Sequence, residues 1–169
     1  DKLDKYVADE IRKRKIAKFI YAASSSCYGI AKTPTKENAP IDTKYPYALS
    51  KYLGEKISFH WASVYKIPII SLRIFNAYGT RSKTSGTYGA AFGVFLKQKL
   101  EKKPFTIVGN GKQKRDFVFV TDVVDAFIKA SQIKKNNIIA NIGSGKAYSV
   151  NYITSLIEGE KIHLLVCPF

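Results

Sequence analysis

The sequence has 169 residues, 46% of them hydrophobic, which is enough for one sizeable core and fits a single domain or a large piece of one. No apolar run reaches the ~18 residues needed to cross a bilayer, and residues 1–18 lack the long apolar stretch of a secretory leader, so no membrane contact is expected. The net charge of +15 is spread along the chain, with five arginines among 28 basic residues, and reads as a solvated lysine-rich surface rather than a nucleic-acid face; Cys27 and Cys167 stand far apart without further ligand pairs, so the expectation is no disulfide framework, no metal site and a reducing cytoplasm.

Residues 3–14 place Leu3, Tyr6, Val7 and Ile11 at helical spacing. Lys18 to Ala23 is a short apolar run predicted as a buried strand, ending in the polar loop Ser24-Ser25-Ser26. A long loop with Pro34, Pro40 and Pro46 follows. Pro46 fits a first helical turn, and the spacing predicts a helix over 47–65 with Leu49, Leu53, Ile57, Trp61 and Val64 near one face. Pro68 to Ile74 reads as a second buried strand and residues 88–102 as a helix. Short strands are predicted at Phe105 to Val108 and Phe117 to Val120, a helix over 122–131 capped by Thr121, a strand at Ile138 to Ile142 and a short helix at Val150 to Ile157. Strands alternating with helices imply an α/β fold with a mainly parallel sheet.

Four segments carry chemistry. Tyr47-Ala48-Leu49-Ser50-Lys51 puts a phenol and an ammonium one turn apart on one helix face. A free phenol has a pKa of ~10, and a nearby lysine favours its phenolate, so the pair suits proton transfer to and from a hydroxyl. The same spacing also occurs on ordinary exposed helices. Ser24, Ser25 and Ser26 follow a strand end, where ligands sit in open α/β sheets, and their hydroxyls suit a reacting oxygen; a plain polar loop is the other reading. Phe75-Asn76-Ala77-Tyr78-Gly79 follows the second strand. Gly109-Asn110-Gly111 leads to Arg115, either a hairpin turn with solvated charges or a pyrophosphate clamp.

In this order and spacing, over about residues 18–157, these segments resemble the extended short-chain dehydrogenase/reductase family of nucleotide-sugar epimerases and dehydratases. The resemblance implies part of a Rossmann-type parallel sheet with a smaller C-terminal substrate lobe. It divides the chain into residues 1–80, the later half of the NAD-binding domain, and residues 81–169, a partial substrate lobe with returning Rossmann elements. It also implies catalytic roles for Ser24, Tyr47 and Lys51, with Lys51 on the nicotinamide ribose and Phe75 lining the nicotinamide pocket. Ser25, Ser26, Asn76 and Arg115 would contact a nucleotide sugar, and NAD would be the cofactor. The serine run replaces the acidic pair of the dehydratases and resembles UDP-hexose 4-epimerases, which oxidise C4 transiently. A dehydratase, a reductase and a non-catalytic RNA-binding member are the other readings. A homodimer through the Tyr47 helix is expected of the full-length protein. The family's glycine-rich phosphate loop is absent, so the expectation is a fragment, with a truncated reading frame and a frame-shifted tail, that binds NAD weakly and is inactive alone.

Overall fold

A computed structural model describes residues 9–10, 13–14, 16–84 and 91–165. In chain order the elements are β1 (Phe19–Ser24), a 3-10 turn (Ser25–Tyr28), α1 (Pro46–Tyr65), β2 (Ile69–Ile74) and β3 (Asn76–Tyr78). They continue with α2 (Ala91–Leu100), β4 (Phe105–Val108), β5 (Lys114–Phe119) and α3 (Val120–Gln132). The last are β6 (Ile138–Ile142), β7 (Ala147–Ser149), α4 (Val150–Ile157) and β8 (Lys161–Leu164). No helix among the described residues is long and apolar enough to cross a membrane.

Two compact units make up the chain, one of residues 1–75 and 122–142, the other of residues 76–121 and 143–169. The first is built on a parallel sheet in the order β1-β2-β6, with Phe19 opposite Ile69 and Ile70 opposite Ile138. The expected α/β class is therefore observed. Side chains alternate across β2, as strand geometry requires. Ile70 and Leu72 pack with Ala126, Phe127 and Ala130 of α3, whereas Ser71 and Arg73 turn to Glu55 of α1. Burying each of Ile69, Ile70 and Leu72 contributes about 1.5–3 kcal/mol.

The second unit holds a sheet in the order β3-β5-β7, parallel then antiparallel, and a separate parallel pair of β4 with β8. Its core is aromatic: Phe95, Phe105, Phe117 and Ile153 pack with Tyr78, Phe92 and Tyr148 around them. Tyr78 stacks on Phe92 at 4.5 Å between centroids, and Phe92 meets Phe117 edge-on at 5.1 Å. Such pairs each add about 0.5–1.5 kcal/mol beyond burial.

Several expectations from the sequence change. The helix expected over 3–14 falls mostly outside the described residues, as does Cys167. Thr121 is inside α3 rather than its cap. Arg115 lies within β5, not in a hairpin turn, because the strand begins three residues before Phe117. β3, β7 and β8 were not predicted; each has only three or four residues, too few to show a period. Of the apolar stripe on α1, Leu49, Leu53 and Val64 are exposed and Ile57 and Trp61 half-buried, while the residues that α1 buries are Ala48, Gly54, Glu55 and Ala62. Small residues let the helix approach the strands closely.

Candidate active site

α1 starts where the extended Tyr45 gives way to Pro46, whose fixed φ suits a first turn and whose missing N–H has no intrahelical acceptor to lose. Tyr47 is in that first turn and is 43% exposed. One turn on, the Lys51 ammonium reaches back to the carboxyl end of β1 and donates to the Ala22 carbonyl at 3.1 Å. It also lies 5.7 Å from the centroid of the Tyr21 ring. The Tyr21 hydroxyl in turn donates to the Lys51 carbonyl at 3.2 Å. The helix is therefore tied to β1 in both directions at the residue that carries the charge.

The serines form structure rather than a loose polar loop. Ser24 is extended, and its side chain caps the 3-10 turn by accepting from the Ser26 backbone N–H at 3.2 Å. The Ser26 hydroxyl donates to the Ser24 oxygen at 2.8 Å. A hydroxyl has two acceptor lone pairs and one donor hydrogen. With two donors already at its oxygen, Ser24 has its own proton left to offer, the role that a developing negative charge on a substrate oxygen requires. Ser25 is half-buried in the same turn. Buried Cys27 and Tyr28 anchor the end of the turn, and burial pushes the Cys27 thiol and the Tyr28 phenol up from their ordinary values.

Beneath this turn is a polar cluster that the sequence reading missed. The Arg73 guanidinium forms a two-pronged pair with Glu55, Nε to Oε2 at 3.0 Å and Nη2 to Oε1 at 2.6 Å. The side chains are 4% and 1% exposed. Ser71 donates to the same carboxylate at 2.7 Å. Nη1 of Arg73 donates to the Tyr28 hydroxyl at 2.7 Å and to the Glu37 carbonyl at 3.1 Å. The Tyr28 hydroxyl donates to Asn141 Oδ1 at 2.8 Å. Burial works to lower the Arg73 pKa, but the hydrogen bonds it donates to Glu55 and Tyr28 outweigh that and hold it above its ordinary value. A signal was present in the sequence: an arginine inside an apolar strand, and a glutamate four residues past Lys51 on the same helix face.

The other predicted residues follow β2. Phe75 is half-buried, and its N–H donates to the Ile142 carbonyl at 2.9 Å, extending the contact of β2 with β6. Asn76 and Arg115 belong to the second unit. The Asn76 amide donates to the Asp116 carbonyl at 2.9 Å and so holds β3 to β5, while exposed Arg115 donates to the Lys114 carbonyl. Asp116 beside it accepts from Ser144 N–H at 2.8 Å, from the Ser144 hydroxyl at 2.7 Å and from Gly145 N–H at 2.9 Å, pinning the loop before β7. The structure thus joins Ser24 to Ser26 at the end of β1, ties Lys51 to Ala22 two residues before that end, and places Asn76 beside Arg115's strand.

Comparison with known proteins bears on the family and the fold. Residues 2–143 match the model of the NAD dependent epimerase/dehydratase family. The chain is 38% identical over 156 residues to a putative UDP-glucose 4-epimerase of Methanocaldococcus jannaschii, covering 91% of this chain and 50% of that protein. It is 35% identical over 150 residues to an uncharacterized UDP-glucose epimerase of Bacillus subtilis, covering 87% and 46%. The chain therefore spans about half the length of the curated relatives it matches. Among solved structures, a UDP-glucuronic acid 4-epimerase from Bacillus cereus, in complex with UDP-glucuronic acid and NAD, superposes with a TM-score of 0.90 at 30% identity over 99% of this chain and 55% of that one.

Proposed function

This chain belongs to the NAD dependent epimerase/dehydratase family, and on that premise we propose that its full-length protein is an NAD-dependent nucleotide-sugar epimerase inverting C4 of a UDP-hexose. The observation that carries the reading is the placement of the Lys51 ammonium and the Ser24 hydroxyl at the carboxyl end of β1, where ligands of open parallel sheets sit.

The residues suit the nicotinamide end of the cofactor: a half-buried lysine one helical turn after an exposed tyrosine, with Phe75 just after the neighbouring strand. When bound, NAD supplies the acceptor and donor of a hydride at the sugar carbon. The remaining work falls to side chains of this chain. The Tyr47 phenolate accepts the proton of the C4 hydroxyl and returns it later. Lys51 binds the ribose and stabilises the phenolate by its charge. Ser24 donates a hydrogen bond to the C4 oxygen as that oxygen gains carbonyl character, keeping its own proton, while Ser25 and Ser26 hydrogen-bond the sugar. Asn76 and Arg115 hold the diphosphate. The 3-10 turn carries no acidic side chain, so it offers no group to expel water from the sugar, which favours epimerisation over dehydration.

Exposed Leu49 and Leu53 on α1 support a homodimer of the full-length protein through that helix, and the low cysteine content supports a cytoplasmic setting. The test is product analysis of the full-length protein with UDP-glucose, UDP-N-acetylglucosamine, UDP-glucuronic acid and dTDP-glucose. Interconversion of C4 epimers with no net change in NAD redox state is expected. Loss of water from the sugar, or stoichiometric consumption of a reduced nicotinamide, would reject the reading.

A further inference from the structure

We propose that the buried Glu55–Arg73 pair is a positioning device for the catalytic groups, setting α1 against the serine turn rather than only stabilising the sheet. The inference rests on the proposed function for the identity of what is positioned.

Glu55 follows Lys51 by four residues and Tyr47 by eight, so the three lie along one stripe of α1. The rest of that helix buries alanine and glycine, which give contact without direction. Glu55 is different. A carboxylate that receives two guanidinium donors and the Ser71 hydroxyl has one allowed orientation. It fixes the rotation of α1 about its axis and its height along β2.

The same guanidinium fixes the other half of the site. Nη1 of Arg73 is bonded to the Tyr28 hydroxyl, and Arg73 Cζ lies 4.9 Å from the Tyr28 ring centroid. Tyr28 ends the turn that Ser24 caps. Nη1 also holds the Glu37 carbonyl, and the Glu37 carboxylate accepts from the Asn141 backbone N–H at 2.9 Å. The loop that delivers the chain into α1 is therefore tied to the same arginine. One side chain links the helix bearing Tyr47 and Lys51, the turn bearing Ser24 and Ser26, and the loop between them. A buried ion pair adds little net stability compared with apolar packing, whereas misplacing reacting groups by about 1 Å lowers rate by about a hundredfold.

The experiment uses the full-length enzyme. The double variant Glu55→Met/Arg73→Met replaces the pair by apolar side chains and leaves no buried charge unpaired. With folding verified by circular dichroism at the assay temperature, kcat is expected to fall about a hundredfold while KM for the nucleotide sugar changes less than about threefold. Glu55→Gln, which keeps an acceptor for Ser71 and Arg73, is expected to recover part of that loss. A folded double variant with kcat within about twofold of the parent overturns the proposal, and if the double variant does not fold, the displacement of Tyr47 relative to Ser24 in a crystal structure of Glu55→Gln or Arg73→Lys against the parent decides it, about 1 Å supporting it and superimposable positions rejecting it. If the parent itself does not epimerise nucleotide sugars, the proposed function fails, and crystal structures of parent and variant then read the positioning directly. Displacement of Tyr47 relative to Ser24 by about 1 Å supports it, and superimposable positions reject it.

Discussion

The Tyr21 hydroxyl closes over Gly54: a methyl group built on that glycine would be 2.1 Å from the Tyr21 oxygen and 2.9 Å from its ring carbon. Helix propensity alone favours alanine over glycine by about 0.8–1.0 kcal/mol, so Gly54→Ala ought to stabilise α1. The clash decides otherwise, because Tyr21 is held by its bond to the Lys51 carbonyl. Gly54→Ala is expected to destabilise by about 1–3 kcal/mol, the usual size of an overpacking effect. Adding Tyr21→Phe removes the nearest atom and is expected to restore part of the loss in thermal melts.

For Tyr47, the expected outcome concerns rate. Tyr47→Phe in the full-length protein removes the proposed acceptor of the C4 proton and leaves the ring. A fall of about 10²–10⁴-fold in kcat with KM little changed is expected in a steady-state assay. Ser24→Ala removes both a donor to substrate and the cap of the 3-10 turn, so its fall of about 10²-fold is expected to come with a lower melting temperature.

Breaking the buried pair on one side differs from replacing it. Glu55→Ala strands the Arg73 charge among buried groups, and a loss of about 3–5 kcal/mol is expected by chemical denaturation. The Glu55→Met/Arg73→Met variant is expected to unfold at a higher denaturant concentration than Glu55→Ala, since no charge is left without a partner.

Alkaline pH is expected to weaken the first unit through Cys27 and Tyr28. Burial raises both groups in the folded chain, so the folded state keeps protons that the unfolded chain releases. Their contribution is complete below the unfolded values and is lost as pH rises from about 8.5 upward, thiol first and phenol from about 10. Melting temperature followed from pH 7 to 10.5 is expected to fall less steeply in Cys27→Ala than in the parent. Parallel curves would count against burial as the cause.

Asp116 and Ser144 are expected to couple. Asp116→Ala removes three acceptor contacts, and hydrogen bonds to a carboxylate contribute about 1.5–3 kcal/mol when buried and less here, where the bonds are exposed. A loss of about 2 kcal/mol is expected. Ser144→Ala removes one of those contacts together with the hydroxyl's bonds to Lys146, and the double variant is expected to lose less than the sum of the two singles, because the Asp116–Ser144 hydroxyl bond is counted twice.

Local chemistry was legible in the sequence. Pro46 announced the start of α1, the apolar runs ending at Ala23 and Ile74 announced β1 and β2, and Tyr47 with Lys51 stood out by spacing alone. Ser24, Ser25 and Ser26 were legible as hydroxyls at a strand end, but their 3-10 turn was not. Its anchors are Cys27 and Tyr28, whose burial depends on partners far along the chain. The exposure of Leu49 and Leu53 was equally hidden, because a helix with apolar residues on much of its surface does not say which stripe faces inward.

The sequence by itself determined which groups are available: a phenol and an ammonium one turn apart, three hydroxyls after a strand, an asparagine and an arginine further on. Each is a local property of spacing and strand position. Only the tertiary structure decided where they are held. Lys51 reaches Ala22, 29 residues away; Arg73 joins Glu55, 18 away, and Tyr28, 45 away; Asn76 holds the Asp116 carbonyl, 40 away. A buried polar group must find a partner, and which partner it finds is set by the pairing of β1, β2 and β6 in one sheet and of β3 with β5 in another, not by any pattern within one segment.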